Sequence, residues 1–153
     1  MQRPMGAQDL LQSGMGHTQM SKRIKYKAGY KYQLHEAYRV MTGITGYLIS
    51  TGYLALDLDG MLHIQDGYAW DGPSGPTVDT PAFMRGSLVH DALYQLIRTG
   101  HIGIRHRKDA DILLREICRE DGMSAIRAWW VYQGVRFGGG DAVESDNPII
   151  TAP

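Results

Sequence analysis

Five consecutive residues, His90-Asp91-Ala92-Leu93-Tyr94, hold the sharpest chemistry in the 153-residue chain. On a helix His90 and Tyr94 are i and i+4 and share a face. Asp91 points about 100° away from that face. A second polar run, Arg107-Lys108-Asp109-Ala110-Asp111, opens the next helical pattern. The connection from Gly100 to His106 is short enough to make the two helices antiparallel neighbours. A carboxylate on the second helix can then accept a hydrogen bond from one ring nitrogen of His90. Such a bond fixes the tautomer and frees the other nitrogen to act as a general base towards water. Asp91 is left for a second task, such as holding a cation beside the loop over 65–76. The competing reading is structural: a histidine beside an aspartate on an amphipathic helix is commonly a satisfied polar pair.

The elements that must position these residues read as an α+β chain. Residues 1–20 are rich in Gly, Gln and Met without periodicity and are expected to be a flexible leader. Met20-Ser21-Lys22-Arg23 resembles a second start, which would make the first nineteen residues an upstream extension. One domain is expected over 21–138. A small antiparallel sheet over about 22–64 is predicted from the alternation of Tyr30, Tyr32 and Leu34 and the extended pattern of Tyr38 and Val40. Asp59-Gly60 between two apolar runs predicts a hairpin turn. Residues 65–79, dense in Gly and Pro, are predicted as a loop. Helices are predicted over about 80–99, 107–121 and 124–137. Thr80 or Asp79 would cap the first before Pro81, and Gly100 would end it. Ser124 would cap the third, which would bury Ile126, Trp129, Trp130, Val131 and Val135. Gly138-Gly139-Gly140 would end it, leaving 139–153 as a tail.

Composition narrows the function classes. A single cysteine, Cys118, excludes an intramolecular disulfide and any multi-cysteine zinc site. No apolar run reaches the roughly 20 residues of a membrane span, and no h-region marks a signal peptide. Sixteen basic and sixteen acidic residues cancel, which argues against generic nucleic-acid binding. The charge is unevenly spread. Residues 45–84 carry five Asp and no Lys or Arg, a block that favours a cation or simply makes Asp-Gly turns. The lysine-tyrosine stretch over 22–32 reads equally well as phosphate contacts or as a protected strand edge.

The ordered motifs Asp71-x-x-Ser74-x-Pro76, His90-Asp91-x-x-Tyr94 and Arg107-x-x-Ala110-Asp111 resemble a family of short bacteriophage and prophage proteins of unknown function, over roughly 60–138. A more distant likeness is to phospholipase A2 enzymes, above all the type found in parvovirus capsids. These also carry His-Asp-x-x-Tyr on a long helix, a Gly-rich calcium loop before it and an Asp on the following antiparallel helix. Gly67-Tyr68-Ala69-Trp70-Asp71-Gly72-Pro73-Ser74 is similar to that loop. The resemblance implies that His90 activates water, Asp111 orients His90 and Tyr94 hydrogen-bonds Asp111. It implies a Ca²⁺ ion held by the Asp91 carboxylate and the carbonyls of Trp70, Gly72 and Ser74, an oxygen shell suited to a hard cation. Ser74 departs from the loop's last glycine. Asp71 lies outside the phospholipase pattern and is either a second carboxylate ligand or a turn cap.

Other sites compete. Zn²⁺ held by His90, His101, His106 and Asp111 is an alternative whose spacing fits no common zinc pattern. Cys118 lies on the apolar face of its helix and reads as inert packing. Trp129, Trp130 and Phe137 read as core rather than as a membrane anchor.

Three functions follow as expectations. The first is a phage-encoded hydrolase with a Ca²⁺-dependent, phospholipase A2-type site acting on a lipid or cell-envelope ester. The second is a non-catalytic virion or tail-associated protein, bound to other phage structural proteins, in which His90, Tyr94 and Asp111 form a buried polar network. The third is a metal-dependent cell-wall peptidase or amidase. The expected location is the host cytoplasm or the virion.

Overall fold

The computed structural model describes residues 22–27, 32–72 and 80–144. The element order is β1 (Tyr26–Lys27), β2 (Tyr32–Leu34), β3 (Tyr38–Met41), β4 (Ile49–Ser50), β5 (Leu54–Leu56), β6 (Met61–Ile64), β7 (Ala69–Trp70), α1 (Pro81–Arg98), a 3₁₀ turn (Ile104–His106), α2 (Arg107–Glu120) and α3 (Ala125–Glu144). This is the expected α+β class. The single expected sheet is two antiparallel sheets, ordered β1-β2-β7 and β3-β6-β5-β4.

The four-stranded sheet follows from period-two patterning. Tyr38 and Val40 face inward on β3 and pair in register with Ile64 and Leu62 on β6; Leu54 and Leu56 of β5 flank the same two residues. All six are buried, while Arg39 and Met41 face out. Asp57–Gly60 turns β5 into β6 as the sequence predicts. Gly60 takes φ +93°, its N–H donates to the Asp57 carbonyl at 2.9 Å, and the Asp59 carboxylate accepts from the Met61 N–H at 3.1 Å. A positive φ of that kind favours glycine.

The three-stranded sheet corrects the loop over 65–79. Ala69–Trp70 is a strand that pairs with β2, Tyr32 opposite Trp70. Trp70 packs edge-on against Tyr26 at 5.9 Å between ring centroids and tilted against Tyr32 at 5.6 Å. Two residues are too few for periodicity to reveal, and the surrounding glycines conceal them. Ser74, Asp79, the leader over 1–20, Tyr30 and the chain beyond Glu144 lie outside the described residues.

α1 carries Leu88, Val89, Ala92, Leu93, Leu96 and Ile97 into the main core with both sheets. Thr80 occupies its N-cap position but makes no side-chain cap; its hydroxyl accepts from Arg127 at 3.1 Å instead. The helix stops at Gly100, φ +74°, and α2 stops before Gly122, φ +98°. α1 and α2 are antiparallel: Gly86 faces Leu114 and Cys118, whereas His90 and Tyr94 face Asp111. A Cβ on Gly86 would lie 2.9 Å from Leu114 Cδ1 and 3.0 Å from Cys118 Sγ, so glycine lets the helices close. Cys118 is fully buried, and burial pushes its thiol up to about 12, as an inert packing residue requires.

α3 departs from expectation twice. Ser124 does cap it, its Oγ accepting from the Arg127 N–H at 3.2 Å. The helix then runs through Gly138-Gly139-Gly140 to Glu144 rather than ending at the glycines. Glycine costs only about 1 kcal/mol per helical position, and extending an existing helix gains a hydrogen bond per residue. The buried edge of α3 is Ala128 and Val131, with Val135 partly buried against them. Trp129, Trp130 and Phe137, expected in the core, are exposed, as is Ile126. Apolar residues surround this helix, so periodicity could not choose its inner face. No helix among the described residues is long and apolar enough to cross a membrane.

Candidate active site

Asp111 is the centre of the site and is fully buried. An uncompensated carboxylate there would be very costly, and the fold supplies three donors. His90 Nε2 lies 2.7 Å from Oδ1, the Tyr94 hydroxyl donates to the same oxygen at 2.6 Å, and Arg136 donates to Oδ2 at 2.9 Å. Burial pulls the Asp111 carboxyl up, but hydrogen bonds from His90 and Tyr94, the His90 charge and the Arg136 bond outweigh it and hold it below its usual range. Tyr94 moves the other way: burial and the bond to Asp111 push its phenol up, so it stays a neutral donor. The arrangement of His90, Tyr94 and Asp111 expected from sequence is therefore present.

The carboxylate of Asp111 only accepts, so His90 Nε2 carries the proton of this bond, and the tautomer it selects is the one with the Nδ1 lone pair turned away from Asp111. Nδ1 has no hydrogen bond to a described residue; its nearest carboxylate oxygen is Asp91 Oδ1 at 4.0 Å. Asp91 is partly exposed on the next helical position. Burial first, then the charge of Asp71, raise its carboxyl to about 7, opposed by Arg98 and by a hydrogen bond from the Asp71 backbone. The loop after β7 thus meets Asp91 directly. Gly72 holds that loop at φ +79° with its α-carbon against the Tyr32 ring, where a Cβ would come within 2.3 Å of a ring carbon. Trp70 anchors the loop to α1 by donating from Nε1 to Ser87 Oγ at 3.0 Å. Tyr68 walls the same side; its hydroxyl donates to Gln95 at 3.0 Å, and burial with the nearby Asp91 charge pushes its phenol up.

Asp71 and Asp91 lie close enough for their charges to repel, and the Asp71 backbone N–H donates to the Asp91 carboxylate. Ser74, the remaining expected ligand, lies outside the described residues. The zinc-ligand set does not assemble. His101 Nδ1 is 2.7 Å from Thr99 Oγ1, and His106 sits between Tyr47 and Asp109 at 2.9 Å each. Among the described residues no group of three or more His, Cys, Asp or Glu is set to hold a metal.

A family model described as "Protein of unknown function (DUF1353)" matches residues 55–135. The chain belongs to the DUF1353 family. No curated protein and no solved structure matches it. The DUF1353 match contains Asp71, His90, Asp91, Tyr94, Arg107 and Asp111, and it stops one residue short of Arg136. Arg136 is the site residue that sequence reasoning missed, because an arginine 25 positions from Asp111 on another helix leaves no local signal. Arg107 was legible only as part of a motif. It braces the site by donating to the Val135 carbonyl at 3.2 Å and to that of Arg136, which fixes the stretch of α3 that carries Arg136.

Proposed function

We propose that this DUF1353 protein is a hydrolase with a phospholipase A2-type site, of phage origin, acting on an ester of a lipid or another envelope component. One observation carries the reading: His90 is locked through Nε2 to a buried carboxylate while Nδ1 stays free of described partners beside Asp91. In this reading Nδ1 takes the proton of an attacking water, Asp111 stabilises the imidazolium that forms, and Tyr94 and Arg136 keep Asp111 ionised and in place. Asp91 and Asp71, with the carbonyls of Trp70, Gly72 and Ser74, would hold Ca²⁺. When bound, that ion supplies electrophilic stabilisation for an ester carbonyl. The test is fatty-acid release from phospholipid vesicles by the full chain in Ca²⁺ and in chelator. Release that needs Ca²⁺ and disappears in Asp91→Asn supports the reading; no release in either condition overturns it.

A second reading rests on the same carboxylate. Asp111 joins α1, α2 and α3 through three hydrogen bonds, which is what a purely structural polar network does. In that case the protein is a virion component without a reaction. A zinc-dependent peptidase or amidase has no comparable support.

A further inference from the structure

A second histidine relay joins the β3–β4 connection to the 3₁₀ turn before α2. Tyr47 Oη lies 2.9 Å from His106 Nε2, and His106 Nδ1 lies 2.9 Å from Asp109 Oδ2. The Tyr47 oxygen also accepts from the Arg105 guanidinium at 3.2 Å and from the Gly103 N–H at 3.4 Å. These partners select one tautomer of the neutral ring. A hydroxyl oxygen accepts two hydrogen bonds and donates one. Arg105 and Gly103 fill both acceptor places, so the Tyr47 proton points to His106 Nε2, which bears the lone pair. Nδ1 then donates to the Asp109 carboxylate, which only accepts. Asp109, His106 and Tyr47 thus stand in the order of an orienting carboxylate, a base and a hydroxyl nucleophile. The bond to Asp109, whose side chain is 55 % exposed, adds little to holding the turn, but it sets which nitrogen faces Tyr47. The relay shares no residue with the His90 site.

We propose that Tyr47 is a nucleophile that takes an acyl group from an ester with an apolar acyl chain, with His106 as its base. Asp109 is a positioning residue, acting through His106. In the step the Oη–H proton passes to His106 Nε2 and Oη bonds to the ester carbonyl carbon. Collapse of the tetrahedral adduct breaks the bond to the leaving oxygen, which takes the proton from His106. Tyr47 keeps the acyl group as an aryl ester. Two features suit that substrate. Arg105 is exposed, and its donor on Oη is placed to follow the negative charge to the carbonyl oxygen. The backbone beside the phenol also carries large apolar residues. Leu48 follows Tyr47, Ile104 lies between the donors Gly103 and Arg105, and the Leu58 carbonyl accepts from the Gly46 N–H at 2.9 Å. Leu48, Ile104 and Leu58 are 76 %, 56 % and 60 % exposed, which offers an acyl chain apolar contact at the surface.

The probe is p-nitrophenyl butyrate with the full chain, quenched in acid, the acylated residue being located by peptide mass spectrometry. Tyr53 is the internal reference: it is 51 % exposed, and its hydroxyl makes no hydrogen bond to a described histidine. Tyr47 should acylate about 10²–10⁴ times faster than Tyr53, the usual contribution of a positioned base. His106→Gln should bring Tyr47 level with Tyr53. Asp109→Asn should lower the ratio at least about tenfold by releasing the tautomer. Because its side chain is exposed, Asp109→Asn decides the matter if His106→Gln fails to fold. A purely structural contact would leave the ratio unmoved. No adduct on Tyr47, a Tyr47 rate equal to that of Tyr53 in the wild type, or a ratio indifferent to the folded variants overturns the proposal.

Discussion

Asp111→Asn is the perturbation whose cost the structure specifies most closely. The substitution keeps the shape and removes the charge. Its amide oxygen can still serve the two donors that share Oδ1, His90 and Tyr94. Its NH₂ group must then face Arg136, donor against donor. Removing one partner of a buried ion pair costs about 3–5 kcal/mol. Arg136 keeps 29 % of its side chain exposed and can turn towards water, which places the expected loss near the lower limit, about 3 kcal/mol at pH 7. The pH dependence has a fixed sign. The folded-state carboxyl of Asp111 lies below its unfolded value, so its stabilisation is complete above the unfolded value and is lost as pH falls through the folded one. The gap between wild type and Asp111→Asn should therefore narrow once pH drops below about 4. Urea unfolding followed by far-ultraviolet circular dichroism, from pH 7 downwards, measures both quantities. A loss under about 1 kcal/mol at pH 7, where ordinary polar substitutions fall, would refute the assigned network, as would a gap that stays constant into acid.

Asp91 should behave with the opposite sign: its folded carboxyl is raised to about 7, so stability falls as pH rises from the unfolded value towards 7. Asp91→Asn should raise the midpoint of thermal unfolding at pH 8 and leave it unchanged at pH 4, and Ca²⁺ should raise the wild-type midpoint at pH 8 only. Gly86→Val forces atoms into the space held by Leu114 and Cys118, and urea unfolding should show a loss of about 1–3 kcal/mol, the usual cost of overpacking. Arg85 forms a fork on Asp121 at 2.9 and 2.8 Å and reaches Glu120 at 2.8 Å and Tyr38 at 3.0 Å. Arg85→Met strands the largely buried Asp121 carboxylate, and the same measurement should show a loss of about 3 kcal/mol or more.

What was legible in the sequence is what local rules control. Asp59-Gly60 and Gly100 ended their elements because left-handed backbone is cheap for glycine, and Ser124 capped α3 because its oxygen reaches the third helical N–H. The meeting of His90 with Asp111 followed from two helices and a short connection. What was hidden depends on distant partners. β7 exists because Tyr32 and Gln33 pair with it, not because two residues prefer strand. Arg136 joins the site only once α3 packs on α2. Trp129 and Trp130 face outward because Ala128 and Val131 are the side chains small enough for the closed side of the bundle.

His90 separates the catalytic reading from the structural one, provided the substitution leaves the network intact. His90→Asn is a poor choice, since a short amide loses the bond to Asp111 and costs about 1.5–3 kcal/mol on either reading. Gln reaches further, and its side-chain NH₂ can donate to Oδ1 in place of Nε2, while Tyr94 and Arg136 hold the rest of the carboxylate. Stability should then stay within about 1 kcal/mol of wild type. The amide has no basic nitrogen to offer on the side of Asp91. Ca²⁺-dependent ester hydrolysis should accordingly fall by about 10²–10⁴, the usual contribution of a positioned base, with little change in KM. Hydrolysis that survives His90→Gln at the wild-type rate refutes His90 as the base, whatever the protein's activity. A folded His90→Gln protein beside a wild type with no hydrolysis to lose leaves the carboxylate at Asp111 as a bolt between three helices and nothing more.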